Sequence, residues 1–247
     1  MGTDQLKWLI TVLSDDIRAN LAVVRERIGR AAERAGRRAD AILLVAVSKT
    51  VSAERVRAAI AAGVPALGEN RVQEAREKIQ AVGRLVPWHL IGHLQTNKVR
   101  DAVTAFDLIQ SVDRLPLAEA LSRRAEAEGR RNEVLVQVNV AEEDRKGGFR
   151  PGELRPALEA MIGMPGLRLR GLMTIPPWPQ DPEDSRPHYR ALTKLLESAR
   201  GWGMGADFSG LSMGMSGDFE VAVEEGATMV RIGTAVFGAR LDRADTR

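Results

Sequence analysis

With 247 residues, 44% of them hydrophobic and 28% charged, the chain can bury a sizeable core as one large α/β domain or two small ones. The absence of Cys excludes a disulfide framework and a thiolate metal site. The pI is near 9.6 but the formal net charge is only +3, Arg and Glu alternate as in Arg25-Glu26-Arg27 and Glu33-Arg34, and aromatic content is 4%, all of which argue against a nucleic-acid surface.

In chain order, residues 4–36 read as an amphipathic helix. Leu6, Leu9, Ile10, Leu13, Ile17, Leu21, Val24 and Ile28 recur at helical spacing, and Gly36 marks its end. Leu6–Val12 is too short for a signal peptide, with Asp4 before it and Asp15-Asp16 after it. No apolar run approaches the roughly 18–20 residues of a membrane span, so a cytoplasmic protein is expected. Short apolar runs then follow at 42–47, 64–67, 86–91, 106–110, 133–140, 167–173, 207–212 and 228–232. Helical patterns lie between them near 53–62, 71–82, 97–103, 115–129, 152–163, 187–201 and 218–225. The alternation predicts a (β/α)8 TIM barrel with an extra N-terminal helix, one domain spanning 1–247. An open doubly wound sheet competes, but no Gly-x-Gly-x-x-Gly follows the first run. Pro176-Pro177-Trp178-Pro179 reads as a loop after strand six.

Barrels carry their functional groups at the C-terminal ends of the strands, which turns strand ends into candidates. Strand one ends at Lys49, one of six Lys in a chain with thirty Arg. Arg supplies charge, but only Lys can shed a proton and act as a nucleophilic amine; a Lys snorkelling from the strand rim is the plainer reading. Gly68-Glu69-Asn70 follows strand two as a turn. Gly92-His93-Leu94-Gln95-Thr96-Asn97-Lys98 follows strand three, and Lys146-Gly147-Gly148 lies in the loop after strand five. Asn70 and Asn97 could each be a helix N-cap. Met213-Gly214-Met215-Ser216-Gly217 follows strand seven, and Arg231-Ile232-Gly233-Thr234 closes strand eight. Glycine backbone N–H groups and Ser and Thr hydroxyls at these two ends suit a phosphate; glycine serving tight turns alone is the alternative.

Two other motifs lead nowhere. Gly210-Leu-Ser212-Met-Gly214 matches a nucleophile elbow, but His89, His93 and His188 all precede it, whereas a hydrolase needs its His afterwards. His89 and His93 straddle a strand end without a His-Glu-x-x-His, so no metal is expected.

A Lys facing a phosphate cradle suggests a phosphorylated carbonyl compound held as a Schiff base: a sugar phosphate or pyridoxal 5′-phosphate (PLP). Arg231 bears on the choice. A PLP ring nitrogen needs a partner, and Arg, which only donates, would keep that nitrogen unprotonated and the cofactor a weak electron sink. A salt-bridged rim Arg is the other reading.

The segments Ala46-Val-Ser-Lys49-Thr, Gly68-Glu-Asn70-Arg-Val-Gln-Glu74, Trp88-His-Leu-Ile-Gly92, Leu94-Gln-Thr-Asn97-Lys98, Gly171-Leu-Met173, Leu211-Ser-Met-Gly-Met-Ser216 and Val230-Arg-Ile-Gly-Thr234 together resemble the YggS/PROSC family of PLP homeostasis proteins, from about residue 4 to Arg240. The resemblance implies a barrel like the N-terminal domain of alanine racemase, with PLP as a Schiff base on Lys49. It implies phosphate contacts from Ser216, Gly233 and Thr234, Arg231 near the ring or phosphate, and Asn70 lining the pocket. It also implies a PLP binder acting in vitamin B6 homeostasis rather than a catalyst. Apo PLP-dependent enzymes are candidate recipients, and a monomer is expected. A low-activity amino-acid racemase is the alternative, and a Schiff-base aldolase a third reading. Racemisation on two faces needs two bases. Only Leu241–Arg247 follow the last strand motif, and the single tyrosine, Tyr189, is expected on the helix after strand six as a surface or packing residue.

Overall fold

The computed structural model of the chain describes residues 3–238, with side chains from residue 15 onward. Leu6, Leu9, Ile10 and Leu13 of the expected apolar stripe, and the tail Leu241–Arg247, fall outside the described side chains. Eight strands pair in parallel and in sequence order, the last closing on the first: β1 (Leu43–Val47), β2 (Ala66–Glu69), β3 (Trp88–Leu90), β4 (Leu108–Val112), β5 (Asn132–Gln137), β6 (Leu167–Met173), β7 (Gly210–Ser212) and β8 (Met229–Ile232). The helices are α1 (Thr3–Arg34), α2 (Ala53–Ala61), α3 (Val72–Val82), α4 (Val99–Ala105), α5 (Leu115–Ala127), α6 (Leu154–Ile162), α7 (Arg186–Gly201), α8 (Phe219–Glu224) and the single turn α9 (Thr234–Phe237).

Strand alternation divides the apolar residues into two layers. Leu44, Ala46, Leu67, Trp88, Leu90, Ile109, Val134, Val136, Leu172, Leu211, Val230 and Ile232 face the helices and join the main core. Leu108, Leu135, Met173 and Met229 form a separate small cluster inside the barrel. Toward the C-terminal strand ends the same inward parity brings buried polar residues instead: His89, Gln110, Ser212 and Arg231. Helix α1 packs on α2, α8 and α9, burying Ile17, Leu21, Val24 and Ile28. Arg27 lies 4.6 Å from the Phe219 ring centroid and bonds Glu220 at 2.7 Å, fastening α1 to α8.

Strand bounds differ from expectation where apolar residues pack outside the sheet. Phe106 ends α4, with its N–H bonded to Ala102 O, so β4 starts at Leu108. Phe208 sits in a turn closed on Gly205 O, so β7 is short. Val64 is buried before β2, which runs on through Gly68 and Glu69; these two are strand residues, not the turn their sequence suggested. Gly68 is needed there: a Cβ would lie 2.9 Å from Val45 Cγ1.

Candidate ligand-binding site

Register brings the sequence-derived candidates to four adjacent strand ends. Val47 of β1 pairs with Gly68 of β2, so Lys49 and Asn70, each two residues on, are neighbours. On the other side of β1, Ala46 pairs with Ile232, and the Cβ position of Gly233 is 3.5 Å from Val47 Cβ. The loop after β7 is tied to β8 by Arg231 N–H donating to Gly214 O at 2.9 Å, and Ser216 Oγ accepts from Ala235 N at 3.4 Å. Asn70, Lys49, Gly233, Thr234 and Ser216 thus rim the mouth, with Lys49 half-buried and Thr234 exposed. Neither Asn caps a helix: Arg71 stands at the N-cap of α3, and Asn97 lies within a 3-10 turn.

Arg231 is inside the barrel, not on its rim, and only 3% exposed. Nη1 donates to Ser212 Oγ at 2.7 Å and Nη2 to the Thr174 carbonyl at 2.8 Å. Among the described residues no carboxylate pairs with it; its bonded partners are neutral oxygens. Burial lowers its pKa from the usual value, while Tyr189 and Asp218 act the other way. The network runs on across the lumen. Because Arg231 occupies the Ser212 oxygen as donor, the hydroxyl gives its proton to Gln110 Oε1 at 2.6 Å. Gln110 Nε2 then faces His89 Nδ1 at 2.9 Å and must donate to it. His89 is therefore neutral with its proton on Nε2; burial pushes its pKa down to about 4, against the pull of Asp107. Every proton direction in this chain follows from the guanidinium, which can only donate. Sequence spacing gave no hint of it, since its members lie on four strands.

The loop after β7 is held from behind. Asp218 is 2% exposed; Oδ1 accepts from Met215 N at 2.7 Å, and Oδ2 accepts from Ser185 Oγ and Tyr189 Oη, both at 2.7 Å. Tyr189 is fully buried, so the surface alternative is wrong, and its hydroxyl anchors a loop instead of merely packing. Burial and the neighbouring carboxylate raise its pKa. Gly214 takes a left-handed φ of 91°, and a Cβ there would be 2.6 Å from Ala222 Cβ, which explains a glycine where α8 approaches most closely.

Other rim residues are engaged elsewhere. Lys146 Nζ pairs with Glu143 at 2.7 Å, and His93 Nδ1 meets Asp113 at 2.9 Å while its ring stays largely exposed. Lys98 ends its 3-10 turn exposed. No group of three or more His, Cys, Asp or Glu residues suited to a metal occurs among the described residues, and no described helix is long and apolar enough to cross a membrane. Sequence reading passed over one buried group: Lys78 of α3, whose ammonium sits against Ser48, Glu69 and Glu74 just behind Lys49. Its signal was another of the six Lys in a chain rich in Arg, four residues after Glu74.

Comparison with known proteins places this arrangement. The alanine racemase N-terminal domain family matches residues 13–241. A protein of Aquifex aeolicus named pyridoxal phosphate homeostasis protein is 46% identical over 222 residues, covering 89% of this chain and 96% of that one. One of the same name from Escherichia coli K12 is 42% identical over 240 residues, covering 92% and 97%. The solved structure of PipY from Synechococcus elongatus PCC7942 with PLP bound superposes at a TM-score of 0.76 with 36% identity, covering 90% of this chain and all of that one. The chain belongs to the alanine racemase N-terminal domain family and, within it, to the pyridoxal phosphate homeostasis proteins.

Proposed function

We propose that the barrel mouth binds PLP and that the protein holds and releases this cofactor in PLP homeostasis without turning over a substrate. The observation that carries the reading is register: it sets a half-buried Lys49 beside Gly233, Thr234 and Ser216, with a buried cationic Arg231 beneath them. The donor set suits the ligand. The N–H groups opening α9 and the hydroxyls of Ser216 and Thr234 would take the phosphate. Arg231, whose bonded partners are neutral, is available to the ring nitrogen or the phosphate, and Asn70 would line the pocket beside Lys49. PLP would supply an aldehyde, and Lys49 would supply the primary amine that condenses with it, the carbonyl oxygen leaving as water.

A non-catalytic role fits the placement of Tyr189. Its hydroxyl is spent on Asp218 behind the loop, so it does not present the second base that a racemase needs. The protein acts on this reading as a monomer of one domain in the cytoplasm and passes PLP to apo enzymes. The test is borohydride reduction of the PLP-loaded protein followed by peptide mapping. The label should fall on Lys49, and Lys49→Ala should lose both the label and the visible absorbance. Label on another lysine, or amino-acid turnover that disappears in Lys49→Ala, would overturn the proposal.

A further inference from the structure

Lys78 is 7% exposed and enclosed by three acceptors: Ser48 O at 2.5 Å, Glu69 Oε1 at 2.7 Å and Glu74 Oε1 at 2.7 Å. An ammonium has three protons, and all three are matched. Three oxygens converging on one atom suit Lys and not a planar guanidinium, which accounts for Lys at this position in a chain rich in Arg.

The same acceptors grip both flanks of Lys49. Glu69 Oε1 also accepts from Ser48 Oγ at 2.7 Å, and Glu74 Oε1 also accepts from Thr50 N at 2.6 Å. Thr50 has a left-handed φ of 65°, a conformation a β-branched residue resists; Val51 N–H donating to Ser48 O at 2.9 Å closes the turn locally, and Glu74 braces it from outside. Ala46 and Leu67 take the helix-facing parity and Val45 and Val47 the inward one, and Lys49 follows Val47 by two residues in the turn that Ser48 opens. We infer that Lys78 is a positioning residue for Lys49: from behind the strand it clamps Ser48 and Thr50, so that the amine between them is presented to the mouth. The inference rests on the reading of Lys49 as the point of PLP attachment. The cluster has one unmatched atom, Glu69 Oε2, which is buried without a partner. Burial pushes the Glu69 carboxyl up, against Lys78 and Ser48, so loss of Lys78 would push it up further. Glu74, part-exposed, would then turn to solvent and release Thr50.

The experiment compares wild type with Lys78→Met in two measurements. One is the rate at which PLP becomes borohydride-trappable at Lys49, read by peptide mass. The other is the affinity for 4-deoxypyridoxine 5′-phosphate, which has the ring and phosphate but no aldehyde. Attachment should slow by about tenfold or more, as for a displaced reacting group. The analogue should bind as in wild type, because its contacts do not involve the amine. Equal attachment rates in the two proteins would overturn the positioning role while leaving the PLP site intact. Parallel loss of attachment and analogue binding would also overturn it, since Lys78 would then only support the fold. If wild type itself carried no label at Lys49, the underlying reading would be the one to fail. Should Lys78→Met not fold, the double variant Lys78→Met, Glu69→Gln leaves no lone buried carboxylate and carries the same comparison.

Discussion

His89 holds its imidazole neutral between the barrel strands because Gln110 donates to Nδ1 and because burial disfavours the charged ring. Its pKa is about 4 when folded against 6.5 when free, so between those values the unfolded chain binds a proton that the folded one refuses. Stability is therefore unaffected by this residue above pH 6.5 and falls as the pH drops toward 4, by about 3 kcal/mol in all. Urea unfolding of wild type and His89→Gln across that range should show a shallower fall in the variant. Parallel curves would mean that His89 takes up its proton equally readily in the folded and unfolded chain. Of the residue-level features, Lys49 and Arg231 could be singled out as candidates because a strand-end Lys in an Arg-rich chain and a strand-end Arg stand out by type and position. His89 and Gln110 were not, because a polar residue in a strand gives no sign of which partner crosses the lumen to meet it.

Among the elements, the loop after β7 shows how local sequence and remote support divide the work. Gly214 and Ser216 marked it as a small, turn-forming loop, and Gly214 does adopt a left-handed backbone. The rigidity comes from Asp218 and from Tyr189 on α7, 29 residues earlier. Tyr189→Phe removes one of three donors to a buried carboxylate and should cost about 1–2 kcal/mol in urea unfolding. It should also weaken binding of inorganic phosphate at the mouth, measured by calorimetry, through a looser Ser216. Unchanged phosphate affinity together with the expected stability loss would separate the loop's packing from its proposed binding role. Strand bounds were the least legible part of the elements. Phe106 and Phe208 extend apolar runs, yet both are buried in the core from positions outside the strands.

The whole molecule is a closed parallel barrel with helices outside and a long N-terminal helix laid across α2, α8 and α9. Its large exposed apolar side chains, among the described residues, are Val23, Leu85, Ile162, Ile175 and Trp178, and they sit on separate elements apart from the last two. Among the described residues they leave no large contiguous apolar patch. Sedimentation equilibrium should return a mass near 27.0 kDa, and a dimer mass would contradict the proposed monomer. Eight strands, their helices and the order of strand ends could be read from the sequence, because periods of two and 3.6 residues are local properties of the chain. The partners of the buried polar groups could not. Ser212 meets Gln110 across 102 residues, and Lys78 meets Ser48 across 30. Such pairs exist only once strand order and register have closed the barrel, and it is that closure, a long-range property, that decides how Lys49 and Arg231 are held.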